Sequence, residues 1–476
     1  MIEFKFIGGA YEARSLNLNA QKCQNLYPVV DAEGGKNIIA LMGSPGLKTW
    51  GDPSYNAEVR ALFADENYLY AIIGNRVYRF DTAASSLQMT GTISTSTGLA
   101  WMAKNANDEI GIVGEPDGYI LDSTNTVTLI AAAGFPNASG LIHQDGYFIV
   151  SVQNSDSFNY SGLNAGTSWS ALDFYSAEGQ PDFLVAIASM GQDLWLLGKK
   201  TSEVWYNSGD PFAQYSNVFF ETGCGAVGSV VVTHEGIVWL DNFYRIVLAP
   251  HGSYQVIPKS TYQIDYQIKK MTAKSDARAY GYQGEGHTFY VITFPSDNKT
   301  LELNMTTGFW NTRASGAADA RHRGNCSAFF NGKWIVGDYE NGKLYEVDYD
   351  TYTENGDYMR AVRRAQAVHQ NRERVFHHEL EIEFETGVGI AVGQGSDPQA
   401  MLRYSDDGGH TWGNERWASM GKTGEYSQRV KWNRLGQSRN RIYEVSVSDP
   451  VKRNIINAYL NADDGKIRQP KKEEEE

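Results

Sequence analysis

The sequence predicts an all-β protein: a β-propeller of six to eight blades, seven favoured, with an appended C-terminal β-sandwich. Three observations predict it. From Ala57 onward a unit of three or four short strands recurs at intervals of 41 to 50 residues, the spacing of propeller blades. Glycine is frequent, 48 of 476 residues against 13 prolines, which suits many tight turns between short strands. Beyond Asp357 that rhythm stops and strictly alternating apolar and polar residues take over, the mark of strands buried on one face. A long antiparallel sandwich, or two stacked β domains, is the competing architecture.

Residues 1–56 read as an N-terminal arm and propeller-closing segment. The first unit, AEVRALFADENYLYAIIGNRVYRFDT, gives a strand, a turn near Asp65–Asn67, a continuous apolar strand from Tyr68 to Ile73, a Gly74–Asn75 turn and a strand to Phe80. A run apolar on both sides fits a buried middle strand, and Gly-Asn is hairpin chemistry. Similar units begin near Leu99, Gly140, Phe183, Ser229, Ala279 and Asn325. A lone sheet of this kind cannot bury both faces, and packing sheets around an axis removes the difficulty. The propeller is thus expected over 57–358. In HELEIEFETGVGIAV, Leu380, Ile382 and Phe384 alternate with Glu379, Glu381, Glu383 and Glu385. MLRYSDDGGHTW, SQRVKWNRLG and NRIYEVSVSD continue as strands, so 359–449 is expected to be the sandwich. Residues 450–476 are expected to be a tail, solvated and disordered in DDGKIRQPKKEEEE.

Composition narrows the function classes. Hydrophobic residues are 42% and charged residues 21%, so the chain can bury a sizeable core. No apolar run approaches the roughly 18 residues of a membrane helix, and the N-terminus lacks the basic start and apolar block of a secretory signal. Cys23, Cys224 and Cys326 are odd in number and far apart, which suits neither a disulfide framework nor a zinc site but three thiols in a reducing cytoplasm. Residues 1–358 hold 23 Lys and Arg against 38 Asp and Glu, whereas 359–449 hold 13 against 12. The acidity belongs to the propeller region and argues against its gripping phosphates directly.

The sharpest local motif is an Asp-box, S-x-D-x-G-x-T-W, formed by Ser405, Asp407, Gly409, Thr411 and Trp412. Its mechanics are structural: Asp407 accepts backbone N–H bonds, Gly409 permits positive φ and Trp412 packs beneath the hairpin. Sialidases carry the box too, so a glycan-active propeller hydrolase is the alternative function. Such enzymes repeat the box on several blades, however, and here it occurs once, beyond the propeller. Carboxylates are plentiful, but no pair stands out as a glycosidase dyad. His377 and His378 would point to opposite faces of a strand and make a poor metal pair. His322, between Arg321 and Arg323, reads as part of a polar loop. No P-loop, G-x-S-x-G, H-E-x-x-H or C-x-x-C occurs, and no cofactor is expected. Arg360, Arg363, Arg364, Arg372 and Arg374 form the notable basic stretch, read as a solvated edge or an interface to an acidic neighbour, with proximity to DNA as the other reading.

Two stretches go further. Asn25-Leu26-Tyr27-Pro28, the Gly34-Gly35 turn and Ser44-Pro45-Gly46-Leu47 resemble the opening of the packaged-DNA stabilisation proteins of short-tailed phages, also called tail hub or nozzle proteins. Gln180-Pro181-Asp182, followed by strands and by Glu203, Trp205 and Tyr206, is similar to that family's central motif. FHHELEIEFETGVG and QRVKWNRLGQSRNRIYEVSVSDP resemble its closing segment. The resemblance implies a virion protein that is no enzyme. It implies a self-assembled ring, a hexamer, below the portal and adaptor, closing the filled head and forming a channel through which genomic DNA passes. Tailspikes or fibres and a needle or plug protein would attach to it. A third reading, a cellular propeller scaffold that binds peptides, needs no phage context.

Overall fold

The computed structural model describes residues 2–30, 38–82, 87–177, 179, 182–371 and 373–463. The chain folds into two compact units. One takes Leu47–Gly308 and Ala320–Asp348; the other takes Met1–Gly46, Phe309–Asp319 and Tyr349–Glu476.

The first unit is built from seven sheets. The first sheet runs Val59–Ala64, Leu69–Ile73, Arg76–Phe80 and Leu87–Thr92, all antiparallel. The innermost strands of the others are Trp101–Lys104, Ala138–Gln144, Leu184–Met190, Val231–Thr233, Arg278–Gly284 and Gly324–Phe330, each starting within two residues of where the sequence places it. Each innermost strand touches the next, and the last touches the first, which makes the unit a closed propeller. Second strands such as Leu69–Ile73, Ile110–Gly114 and Gly236–Leu240 are buried along their whole length. They read as continuous apolar runs because both faces meet a neighbouring sheet.

Apolar side chains fill the seams between sheets. Ile72, Ile110, Ile112 and Leu121 join the first sheet to the second. Val59, Leu69, Ile335, Leu344 and Phe330 join the seventh to the first. A fully buried Ile or Leu contributes about 1.5–3 kcal/mol, so each seam is worth several side chains of that size. The outer strand beside Leu344–Asp348 is Gly46–Gly51, which comes from the N-terminal side of the ring. The last sheet is thus completed by residues that precede the first one. Among the described residues there is one α-helix, Tyr262–Lys270, which buries Ile264 and Ile268 four positions apart. Among the described residues no helix is long and apolar enough to cross a membrane.

The second unit is a β-sandwich. One sheet orders Leu26–Val30, Ile39–Gly43, Ile455–Asp463, Val375–Phe384 and Val430–Ser438, with Ile2–Glu3 paired to Ile455–Asp463. The other orders Trp310–Arg313, Lys22–Gln24, Ala361–Arg364, Ile442–Val447, Gln399–Ser405 and Arg416–Ser419. Leu380, Ile382 and Phe384 project inward as their alternation requires, and meet Leu402, Tyr443 and Val445 from the facing sheet.

The expected partition of the chain is therefore redrawn. The sandwich is not confined to 359–449, because residues before Gly46 supply strands to both of its sheets. The expected tail begins with Ile455–Asp463, a strand held between two others and carrying buried Ile455, Ala458 and Leu460. Local periodicity marks a strand but does not say which distant strand it will join. The acidic-basic end beyond Asp463 lies outside the described residues.

Candidate functional site

The Asp-box is a closed hydrogen-bond knot at the end of Gln399–Ser405. The Ser405 hydroxyl donates to Asp407 Oδ1 at 2.7 Å and accepts from the Gly409 amide at 2.8 Å. The His410 and Thr411 amides donate to Asp407 at 2.9 Å each, and the Thr411 hydroxyl adds a bond at 2.6 Å. Gly408 and Gly409 take φ of 78° and 96°, where a Cβ would be strained. Trp412 Nε1 donates to the Gly409 carbonyl at 3.1 Å. The Thr411 hydroxyl and amide, with the Ser405 hydroxyl, hold the Asp407 carboxyl well below the usual carboxylate range. Both oxygens are occupied by the turn itself. A carboxylate so placed holds a loop.

The basic stretch disperses. Arg363 is fully buried in the sandwich, where it donates to the carbonyls of Phe6 at 2.6 Å and Gly9 at 2.9 Å and to Gln21 Oε1 at 2.7 Å. Burial pushes its guanidinium down to about 10. Arg364 pairs with buried Glu444 at 2.8 Å and lies over the Trp412 ring. Arg360 lies 3.5 Å from Asp319 and 3.9 Å from Glu415. Arg374 is exposed, and Arg372 lies outside the described residues. The expectation of a solvated edge or an interface to an acidic neighbour is corrected for Arg363: on Ala361–Arg364 the alternation of a strand sends it inward, where charge-assisted bonds to backbone oxygens compensate for its burial.

The motif residues of the opening stretch hold chain segments together. Asn25, at φ 51°, donates through Nδ2 to the carbonyls of Ala314 (2.8 Å) and Arg360 (2.9 Å), and its Oδ1 accepts from the Ala314 amide at 3.0 Å. One side chain thus ties three segments that are some 290 and 335 residues apart in sequence. Leu26, Tyr27 and Pro28 are buried beside it. The Pro45 carbonyl accepts from Arg313 at 2.8 Å. A Cβ on Gly46 would stand 2.3 Å from the Thr351 carbonyl oxygen, so only glycine fits that approach.

The central motif is also architectural. Asp182 accepts from the amides of Lys200 and Thr201 and closes the turn between Asp193–Gly198 and Ser202–Asn207. Glu203 is buried and accepts from the Gly179 amide at 2.8 Å and from Trp205 Nε1 at 3.1 Å. Trp205 then packs with Phe158 and Phe212 in the seam between the third and fourth sheets. Gln180, Pro181 and the Gly34-Gly35 turn lie outside the described residues. His322 lies in the loop before Gly324–Phe330 and is buried there, with its ring 2.8 Å from the Tyr280 hydroxyl. His377 is buried and His378 exposed, on opposite sides of one strand.

The axis of the propeller holds two cavities, of about 720 and 570 Å³. Their walls are the innermost strands, with Phe63, Trp101, Met102, Ile142, Val230 and Val232 prominent. Among the described residues that line them there is no Asp or Glu. The paired carboxylates that glycoside hydrolysis requires have no seat there. Among the described residues no group of three or more His, Cys, Asp or Glu is placed to hold a metal ion.

Two family models match this chain. One, described as the β-propeller of bacteriophage P22 Gp10, covers residues 2–352, and the other, described as the β-sandwich of the same protein, covers 361–463. The chain belongs to the bacteriophage P22 Gp10 family. The tail hub protein gp10 of Salmonella phage P22 is 21% identical to it over 404 residues, 79% of this chain and 81% of the relative. Among solved structures, the Pan2 WD40 domain of Neurospora crassa matches at TM-score 0.44 and 9% identity, over 64% of this chain and 97% of that one. A chain of a mitotic checkpoint complex matches at TM-score 0.42 and 13% identity, over 67% and 97%. The family assignment rests on the sequence matches, and those two likenesses add nothing to it.

This member of the Gp10 family is a short-tailed phage tail hub protein, a structural component of the virion tail. Sequence reasoning missed several of the residues that organise it. Arg313 and Glu354 form a buried ion pair at 3.2 Å. Buried Arg453 donates to the Met359 carbonyl at 3.2 Å. Arg441 grips Asp406 at 2.6 and 2.8 Å and stacks on Tyr404. All four lie in the sandwich unit. Each stands at or just outside a strand end, where no local alternation marks a core position.

Proposed function

We propose that copies of this chain form a ring, a hexamer, below the portal and adaptor of a short-tailed phage. The ring closes the filled head, extends the DNA channel and carries the tailspikes or fibres with the needle or plug. Membership in the tail hub family supports the setting. The observation that carries the physical reading is the charge of the propeller unit, 18 Lys and Arg against 30 Asp and Glu, while the sandwich unit holds 24 against 26. A conduit must not hold the polymer that slides through it. DNA affinity comes largely from neutralising phosphates, and a wall of like charge withholds that term. Ring interfaces of this kind are heterologous and close by rotation.

The test is head closure. DNA-filled heads assembled without this protein should release their genome to added nuclease, and purified protein should restore protection. Heads that stay sealed without it, or leak equally with it, would refute the proposal.

A further inference from the structure

The turns between the first and second strands of successive sheets all emerge on one face of the propeller, and side-chain bonds join most of them to a turn of the adjacent sheet, in three cases the turn between its third and fourth strands. The Lys104 ammonium is 2.9 Å from Asp65 in the neighbouring turn, Asn107 donates to the Asn164 carbonyl at 2.7 Å, and Gln144 to the Gln192 carbonyl at 2.5 Å. Farther round, Tyr254 reaches Asp193, Gln283 meets His234, and Asn331 returns to the Thr82 carbonyl. Six of the seven turns carry an acidic residue in the turn or beside it: Asp65, Asp108, Asp145, Asp193, Glu235 and Glu285. Hairpin turns favour aspartate for its tolerance of positive φ, which accounts for Asp108 and Asp145. It does not account for glutamate, a residue without that preference, at Glu66, Glu235 and Glu285. The opposite face is mixed, with Lys199, Lys200, Arg245 and Arg321 among its acids.

Inside this girdle of turns, whose Asp65 and Asp108 share Lys104 while the other acids carry the negative charge, opens the axial channel, apolar along much of its wall, with Arg60, Arg278 and Asn325 at the end away from these turns. The larger cavity runs from Arg60 and Asn325, at the starts of innermost strands, to His234 and Gln283 at their ends. Phe63, Trp101 and Met102 are half-buried on its walls, where Val232 is 49% exposed, and Ile142 is half-buried on the wall of the smaller cavity. Apolar side chains facing a concave space inside a ring of negative charge call for an occupant with the complementary pattern. Duplex DNA does not have it, since its phosphates are repelled at the mouth and its outer surface offers no apolar side chains to the walls.

We propose that this channel receives an extended segment of another protein, with two or three aliphatic or aromatic side chains in the cavity and Lys or Arg on both sides against the acidic turns. The inference is independent of the ring, because binding would be read on the single chain. Its failure would leave head closure untouched.

The probe is a fluorescein-labelled peptide with a Leu-Phe-Leu centre flanked by two lysines on each side, followed by fluorescence anisotropy at 0.15 M salt. Saturable one-to-one binding is expected. It should weaken at least tenfold when the centre is Ser-Ser-Ser or the flanks are glutamate, and at least tenfold in Ile142→Arg, which places a cation in the channel. The exposed double substitution Asp145→Lys with Glu285→Lys should weaken it at least threefold without disturbing the core, which keeps the test open should Ile142→Arg misfold. No saturable binding, equal binding of the serine-centred peptide, or unchanged affinity in the turn variant would overturn the proposal.

Discussion

His377 shows at the scale of one side chain how burial sets behaviour. Its ring bonds Ser438 and Tyr443 at 2.9 and 2.8 Å. Burial, reinforced by the nearby Arg441 cation, pushes its imidazole down to about 4. The unfolded chain takes up that proton near pH ~6.5, whereas the folded protein resists it to about 4. The contribution is therefore complete above about pH 6.5 and is lost as the pH falls towards 4, by up to roughly 3 kcal/mol. Urea midpoints at pH 7.5 and 4.5 should differ less in His377→Asn than in the parent protein; an equal difference would remove His377 from the account. Arg363 makes the complementary case. Replacing it by alanine would strand the Phe6 and Gly9 carbonyls and Gln21 in the core, a loss of about 3–5 kcal/mol by chemical denaturation. Lysine should restore little, since one ammonium cannot reach acceptors spread around a planar fork.

At the scale of elements, the decisive joints are side chains that pin distant strands. Asn25→Ala removes three hydrogen bonds and leaves alanine at φ 51°, a change expected to cost about 2–4 kcal/mol. Hydrogen exchange should report it first at the Ala314 amide, which loses its acceptor; unchanged protection there would contradict the role assigned to Asn25. Strands were the legible part of the sequence. The apolar run at Tyr68–Ile73 and the alternation through Leu380, Ile382 and Phe384 both name their own burial, because period and exposure are local properties. What Asn25, Gly46 and Arg363 do was not legible, because each answers to a partner hundreds of residues away. Ile455–Asp463 is a different case: Ile455, Ile456, Ala458, Tyr459 and Leu460 make it apolar enough for a strand, but it runs directly into the charged end of the chain, whose composition dominates the reading of 450–476 as tail.

For the whole molecule, the repeat was readable because a propeller packs each sheet on its sequence neighbours, so that tertiary order follows chain order. The sandwich was readable only in its C-terminal half, because it is assembled from three separate stretches of chain. The charge split followed from counting, but its concentration on one face required the turns to be placed in space. The central claim is that many copies of this chain close into one ring on the tail axis. Electron microscopy of portal–adaptor assemblies incubated with the purified protein tests it most directly. The account predicts an added sixfold ring with an open centre on the axis below the adaptor. Assemblies that gain no density, or gain single copies scattered off the axis, would contradict it.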